Sequence, residues 1–130
     1  IQLIVIDYLQ LLTSGGKSVE SRQQEVSEFS RSIKLLAKEL EIPIVAVAQL
    51  NRDSEKRNDK RPQVADLRES GSLEQDADVV LLIHREDMFN ENTEKQGMAD
   101  IIIGKQRSGP TGIVELAFQG HFSRFAEVAD

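Results

Sequence analysis

An open α/β sheet, mostly parallel, flanked by helices and finished at one edge by an antiparallel hairpin, is the fold class this sequence predicts. Three observations predict it. Apolar, β-branched-rich runs recur in "LIVI" (3–6), "IVAVA" (44–48), "DVVLLIH" (78–84) and "ADIIIGK" (99–105), the pattern of strands buried on both faces. A long amphipathic stretch separates the first two runs, as in a strand–helix–strand unit. Near the end of the chain "IVELAF" (113–118) alternates two sets of residues and, with "HFSRF", looks like an antiparallel edge.

Each element has its own reason. The helix reads from Val26, Phe29, Ile33, Leu36 and Leu40 at spacings of three and four, with Ala37 on the same stripe. Ser18 and Ser21 are its candidate caps, Ser21 with Gln24 forming a weak capping box, and Pro43 enforces its stop. "NRDSEKRNDKRPQ" (51–63) has no apolar residue to dock it and is predicted to be an exposed, mobile loop. "SLEQDA" predicts a short helical turn, "REDMFNENTEKQG" a polar connection, and "RSGPTG" a turn through its Gly-Pro chemistry. "IVELAF" alternates Val114, Leu116 and Phe118 with Ile113, Glu115 and Ala117, and together with "HFSRF" makes the antiparallel edge.

Bulk properties narrow the class. With 130 residues the chain is one domain or part of one. Its 39% apolar and 29% charged residues are ordinary for a globular protein. The absence of cysteine excludes disulfides and thiolate metal sites and fits a reducing compartment. No apolar run approaches the ~20 residues of a membrane span. A net charge of −6 argues against a uniformly basic nucleic-acid surface while leaving room for a local basic loop. The sequence opens at Ile1 inside a strand pattern, without Met, so it is expected to be the C-terminal portion of something longer.

In open α/β sheets ligands gather at the carboxyl ends of the strands. Asp7, Gln49, His84 and Arg85 stand there, each following an apolar run. "LIVID" has the form of a Walker B motif, whose acid holds Mg²⁺, usually through water; the same Asp7 also fits a plain loop cap. Gln49 suits either a γ-phosphate sensor or a loop-satisfying amide. Lys105 and Arg107, two apart at a strand end, form either a phosphate-binding pair or a solvated terminus. Arg52, Lys56, Arg57, Lys60 and Arg61 are offset by Asp53, Glu55 and Asp59, so that loop reads as a solvated mixed-charge face. His84 has no ligand partner at useful spacing for zinc, and no G-x-S-x-G elbow supports serine chemistry. "LLTSGGKSVE" mimics a phosphate loop, but the first glycine of G-x-x-x-x-G-K-[ST] falls on Leu11, which defeats the turn.

Taken in order, "LIVIDYLQLL", "ESRQQEVSEFSRSIKLLAKEL", "VAVAQLNR", "DLRESGSLEQDADVVLLIHR" and "KQRSGPTG" resemble the C-terminal motor domain of the bacterial replicative DNA helicase, the DnaB family, over nearly all of residues 1–130. The resemblance implies a RecA-like fold, of which this chain is the C-terminal part, and ATP-driven translocation on single-stranded DNA by a homohexameric ring in the cytoplasm. It implies that Asp7 supports Mg²⁺ through water, that Gln49 senses the γ-phosphate, and that Lys105 and Arg107 reach a neighbour's ATP, Arg107 as arginine finger. Arg68, Glu69 and Gly71 match the loop that touches the single strand, and "TSGGKS" matches a channel-facing loop. Primase and a helicase loader are implied partners, and no membrane is. A non-catalytic docking module and a recombinase-type relative are the alternatives; the helix and "DLRESGSLEQDADVV" segments favour the helicase branch. In the family the phosphate loop and the water-activating glutamate precede the position of Ile1, so the purified 130-residue chain is expected to show no ATPase turnover, and measurable turnover would contradict this.

Overall fold

The computed structural model describes residues 1–7, 19–70 and 72–129. They form two compact units, Ile1–Arg52 with Ala65–Ala77, and Asp53–Val64 with Asp78–Asp130.

The first unit holds the strand–helix–strand element. Strand β1 (Ile4–Ile6) pairs in parallel with β2 (Ile44–Ala46), Ile4 opposite Ile44 and Ile6 opposite Ala46. The ladder extends at both ends, through Ile4 N–H to the Pro43 carbonyl (3.2 Å) and Val47 N–H to the Ile6 carbonyl (2.8 Å). Helix α1 (Val19–Leu40) is the expected crossover. It begins before Ser21, which therefore lies inside the helix instead of capping it; Ser18 lies outside the described residues. It ends by a backbone device as well as by Pro43. Glu41 takes the left-handed conformation (φ 54°), and Ile42 N–H reaches back to the Ala37 carbonyl (3.3 Å), closing the last turn.

Along α1 the inward line runs through Val26, Ser30, Ile33 and Ala37, whereas Phe29, Leu36 and Leu40 are exposed. Ser30 is buried because it has a partner. Its hydroxyl donates to the Asp76 carboxylate (2.7 Å), which also accepts from Ser72 (3.0 Å), at the two ends of the short helix α2 (Leu73–Asp76). The Ser27 hydroxyl accepts the Ser72 N–H (3.3 Å). The Asp76 carboxylate and the Ser27 hydroxyl thus dock α2 on α1.

The second unit is a four-stranded sheet in the order β3-β4-β5-β6: β3 (Val79–His84), β4 (Met98–Gln106), β5 (Gly112–Gln119) and β6 (Arg124–Ala126). Every pairing in it is antiparallel. This corrects the expectation of a mostly parallel sheet; among the described residues only β1 and β2 are parallel. A parallel return needs a crossover, usually a helix, and the segments joining β3 to β6 contain nothing longer than 3₁₀ turns. The alternating edge of β5 and β6 is as expected.

Burial also departs from expectation. Val80 and Leu82 of β3 are buried, while Leu81 and Ile83 are each 58% exposed, as is Val5 of β1. Covering both faces of a sheet requires a layer on each, and α1 is the only α-helix longer than about one turn among the described residues.

The segment expected to be a mobile charged loop is anchored instead. The Arg57 guanidinium donates to the carbonyls of Asp59 (3.3 Å) and Arg61 (2.9 Å), and Arg61 reaches Asp100 of β4 at 2.8 Å. The Asp100 side chain is 6% exposed, so this ion pair does what an apolar anchor does elsewhere. Between the pairs Val80–Lys105 and Leu81–Ile103, Gly104 is the extra residue of a β-bulge. A Cβ there would lie 2.5 Å from Val64 Cγ2 and 3.4 Å from Leu82 Cδ1. Gly104→Ala is therefore expected to destabilise by about 1–3 kcal/mol, with partial recovery on adding Val64→Ala. Denaturant unfolding checks both, and an additive double variant would remove the close approach as the cause.

Candidate functional site

In the first unit the parallel pair brings Asp7 and Gln49 to one end. Ile6 sits opposite Ala46 and Val47 bonds back to Ile6, so the two strands point the same way at this end. Asp7 and Gln49 are both exposed. Parallel strands place their carboxyl ends together, which is why two residues far apart in sequence share an edge. Gly71 and the "TSGGKS" loop lie outside the described residues, as do the side chains of Arg68 and Glu69, whose backbone continues the 3₁₀ segment Val64–Ser70.

In the second unit Lys105 and Arg107 come together at the carboxyl end of β4. Lys105 is opposite Val80, and Arg107 follows the last paired residue, Gln106. The Arg107 N–H donates to the Asp78 carbonyl (2.9 Å), and its Nη1 lies 3.1 Å from the Asp78 carboxylate. The Arg107 side chain remains 52% exposed. The pairing with Asp78 escaped the sequence reading; its only signal was an acid heading the "VVLLIH" run, in register with the end of a strand not yet known to be antiparallel.

His84 and Arg85 end a strand of the antiparallel sheet, so the carboxyl-end rule for parallel strands does not apply to them. They belong to a different cluster, at the opposite end of β4. Asp100 lies across from His84 on one side and Glu115 on the other. Arg61 pairs with Asp100 at 2.8 Å, and Lys95 bridges Asp100 (3.6 Å) and Glu115 (3.1 Å). The bond to Glu115, followed by the charge of Asp100, raises the Lys95 pKa. His84 stacks on Phe89 (6.0 Å between ring centres), and Lys60 stands 5.2 Å over the same ring. Burial, and next the Arg61 charge, push the His84 imidazole below its ordinary value, against an opposing pull from Asp100, Glu86 and Asp59. Nearby, Arg85 packs over Phe118 (4.2 Å) and pairs with Asp87 at 3.2 Å. The Gly97 N–H, at 3.0 Å, is the main reason the Asp87 carboxyl sits low. This cluster ties strands and connections together and presents no set of metal ligands; among the described residues no group of three or more His, Cys, Asp or Glu is arranged to hold an ion. No helix among them is long and apolar enough to cross a membrane.

The DnaB-like helicase C terminal domain family matches residues 1–127. The replicative DNA helicase DnaB of Leifsonia xyli subsp. xyli is 60% identical over 129 residues, 99% of this chain and 28% of the relative. That of Mycobacterium leprae is 61% identical over 129 residues, 99% of this chain and 21% of the relative. The chain thus spans about a quarter of the length of these relatives. Among solved structures, an ATPase domain superimposes with a TM-score of 0.90 at 41% identity, covering 98% of this chain and 44% of that one. A DnaB-like replicative helicase described with its interactions with primase gives 0.89 at 41% identity, covering 98% and 30%.

The His84 cluster sets a pH dependence. A base whose folded pKa is lowered favours the neutral form, so its contribution is complete above the unfolded value, 6.5, and is lost as pH falls from there toward the folded value. Asp87 acts in a separate window, its contribution present above 3.8 and lost as pH falls through its depressed value. Stability is expected to decline as pH drops from about 7 to about 5, and His84→Gln to flatten that decline. Unfolding free energies measured across this range check it; an unchanged slope in the variant would place the titration elsewhere.

Proposed function

This chain belongs to the DnaB-like helicase C-terminal domain family, and on that premise we propose that it is part of the motor of a hexameric, ATP-driven replicative helicase that translocates on single-stranded DNA and opens duplex at the fork. The observation that carries this reading is Arg107, half-exposed at the end of a strand whose register is pinned on both sides, with Lys105 two residues before it. A guanidinium held at a rigid strand end and open to its surroundings suits delivery to a nucleotide bound by an adjacent subunit. There it offsets charge developing on the transferred phosphoryl group, with Lys105 adding a second cation.

Asp7 and Gln49 take the complementary part, facing the nucleotide of their own subunit. An exposed carboxylate at a strand end fits Mg²⁺, a hard cation that keeps most of its waters and needs one or two carboxylates beside phosphate oxygens. When bound, the ion supplies charge to the β- and γ-phosphate oxygens. Asp7 holds its water shell in place, and the Gln49 amide reads the γ-phosphate by hydrogen bonding. Arg68, Glu69 and Gly71 are assigned to contact with the single strand, where backbone N–H groups hold phosphate without reading bases, as sequence-independent movement requires. Primase and a loader bind the assembled ring in the cytoplasm.

Arg107→Ala in the full-length protein is expected to lower ATP turnover by about 10³-fold or more while nucleotide affinity changes only a few-fold. Turnover assays with a parallel nucleotide titration check this, and unaltered turnover would remove Arg107 from catalysis.

A further inference from the structure

We propose that Asp78 is the resting partner of Arg107, a positioning residue that occupies the guanidinium until a phosphate on the neighbouring subunit displaces it. The inference rests on the reading of Arg107 as the residue delivered in trans. Its basis is the way β3 and β4 end. The ladder runs one step past the pair Val79–Gln106, because Arg107 N–H donates to the Asp78 carbonyl at 2.9 Å. The two backbones are therefore fixed opposite each other, and the side chains meet at 3.1 Å.

The contact is placed to be reversible. Asp78 is 57% and Arg107 52% exposed, so water and salt weaken the attraction, and exposed pairs of this kind contribute little net stability. A triphosphate offers the same guanidinium several negative oxygens and a bidentate match, which one solvated carboxylate does not equal. Exchange of Asp78 for phosphate leaves the backbone bond in place, so the strand end need not move. What changes is the occupant of the guanidinium. Asp78 in this way adds a small cost to each engagement and keeps the cation from wandering between them.

Asp78→Asn in the full-length protein preserves size and the backbone carbonyl while removing the charge. Turnover at low salt is expected to rise by about two- to fivefold, the scale of one exposed ion pair. KM for ATP should be unchanged, and the gain should vanish at about 0.5 M salt, where the pair is screened. Asp78→Ser is expected to repeat the gain and Asp78→Glu to stay at the wild-type rate. In the Arg107→Ala background Asp78→Asn should have no effect. Turnover that is unchanged or lower, or a gain that persists at high salt, would overturn the proposal. If Arg107→Ala abolishes hydrolysis while Asp78→Asn changes nothing, only the role of Asp78 fails; if Arg107→Ala leaves hydrolysis intact, the reading of Arg107 fails first.

Discussion

The register of β4 against its two neighbours is the constraint on which the second unit depends. From Asp100 to Ile103, β4 is paired with β3 on one side and β5 on the other, so it cannot slip without breaking two ladders at once. That register sets both ends. At one, it puts Arg107 opposite Asp78; at the other, it puts Asp100 between His84 and Glu115. The bulge at Gly104 lies between them, fitted under Val64 where a side chain would not go.

The two ends show opposite uses of an ion pair. Asp100 is nearly out of water, so its charge must be met, and Arg61 and Lys95 meet it; removing either partner leaves a buried carboxylate short of compensation, a far larger penalty than the pair's net contribution. The effect is structural, since it holds a segment with few apolar residues against the sheet. Arg107 and Asp78 are both solvated, and their attraction is weak. Weakness is what a group needs if it is to change partners during a reaction cycle.

Much of this was legible in the residues. The apolar runs located β1 to β4, the three-and-four spacing located α1, and the alternation of residues 113–118 identified an antiparallel edge. Strand direction was not legible, because an unbroken apolar run such as "VVLLIH" looks the same whichever way its neighbour runs. The anchoring of residues 53–64 was hidden for another reason: Arg61 and Asp100 are 39 residues apart, and nothing local distinguishes an arginine bound for a buried carboxylate from one bound for water. Ser30 was overlooked likewise, since a serine on an apolar stripe reads as an interruption until its acceptor, Asp76, is seen. Asp7, Gln49, Lys105 and Arg107 stood out because polar groups ending apolar runs are conspicuous, and the family resemblance suggested roles for them; the strand registers put Asp7 and Gln49 beyond the same end of one parallel pair and Lys105 and Arg107 at the end of β4.

Membership of the DnaB-like helicase family and about 60% identity to replicative helicases are the support for the proposed ring motor. The central claim is that one nucleotide is served by two subunits, Asp7 from one and Arg107 from the next. Mixing two full-length variants, Asp7→Asn and Arg107→Ala, tests it most directly. Each alone has every interface damaged, whereas a mixed ring with a head-to-tail arrangement contains intact interfaces, about one in four at equal proportions. The account predicts that ATP turnover, absent from either variant, returns on mixing under conditions where subunits exchange. If mixed rings assemble and remain as inactive as their parents, the two residues do not act across a shared interface, and the account is wrong.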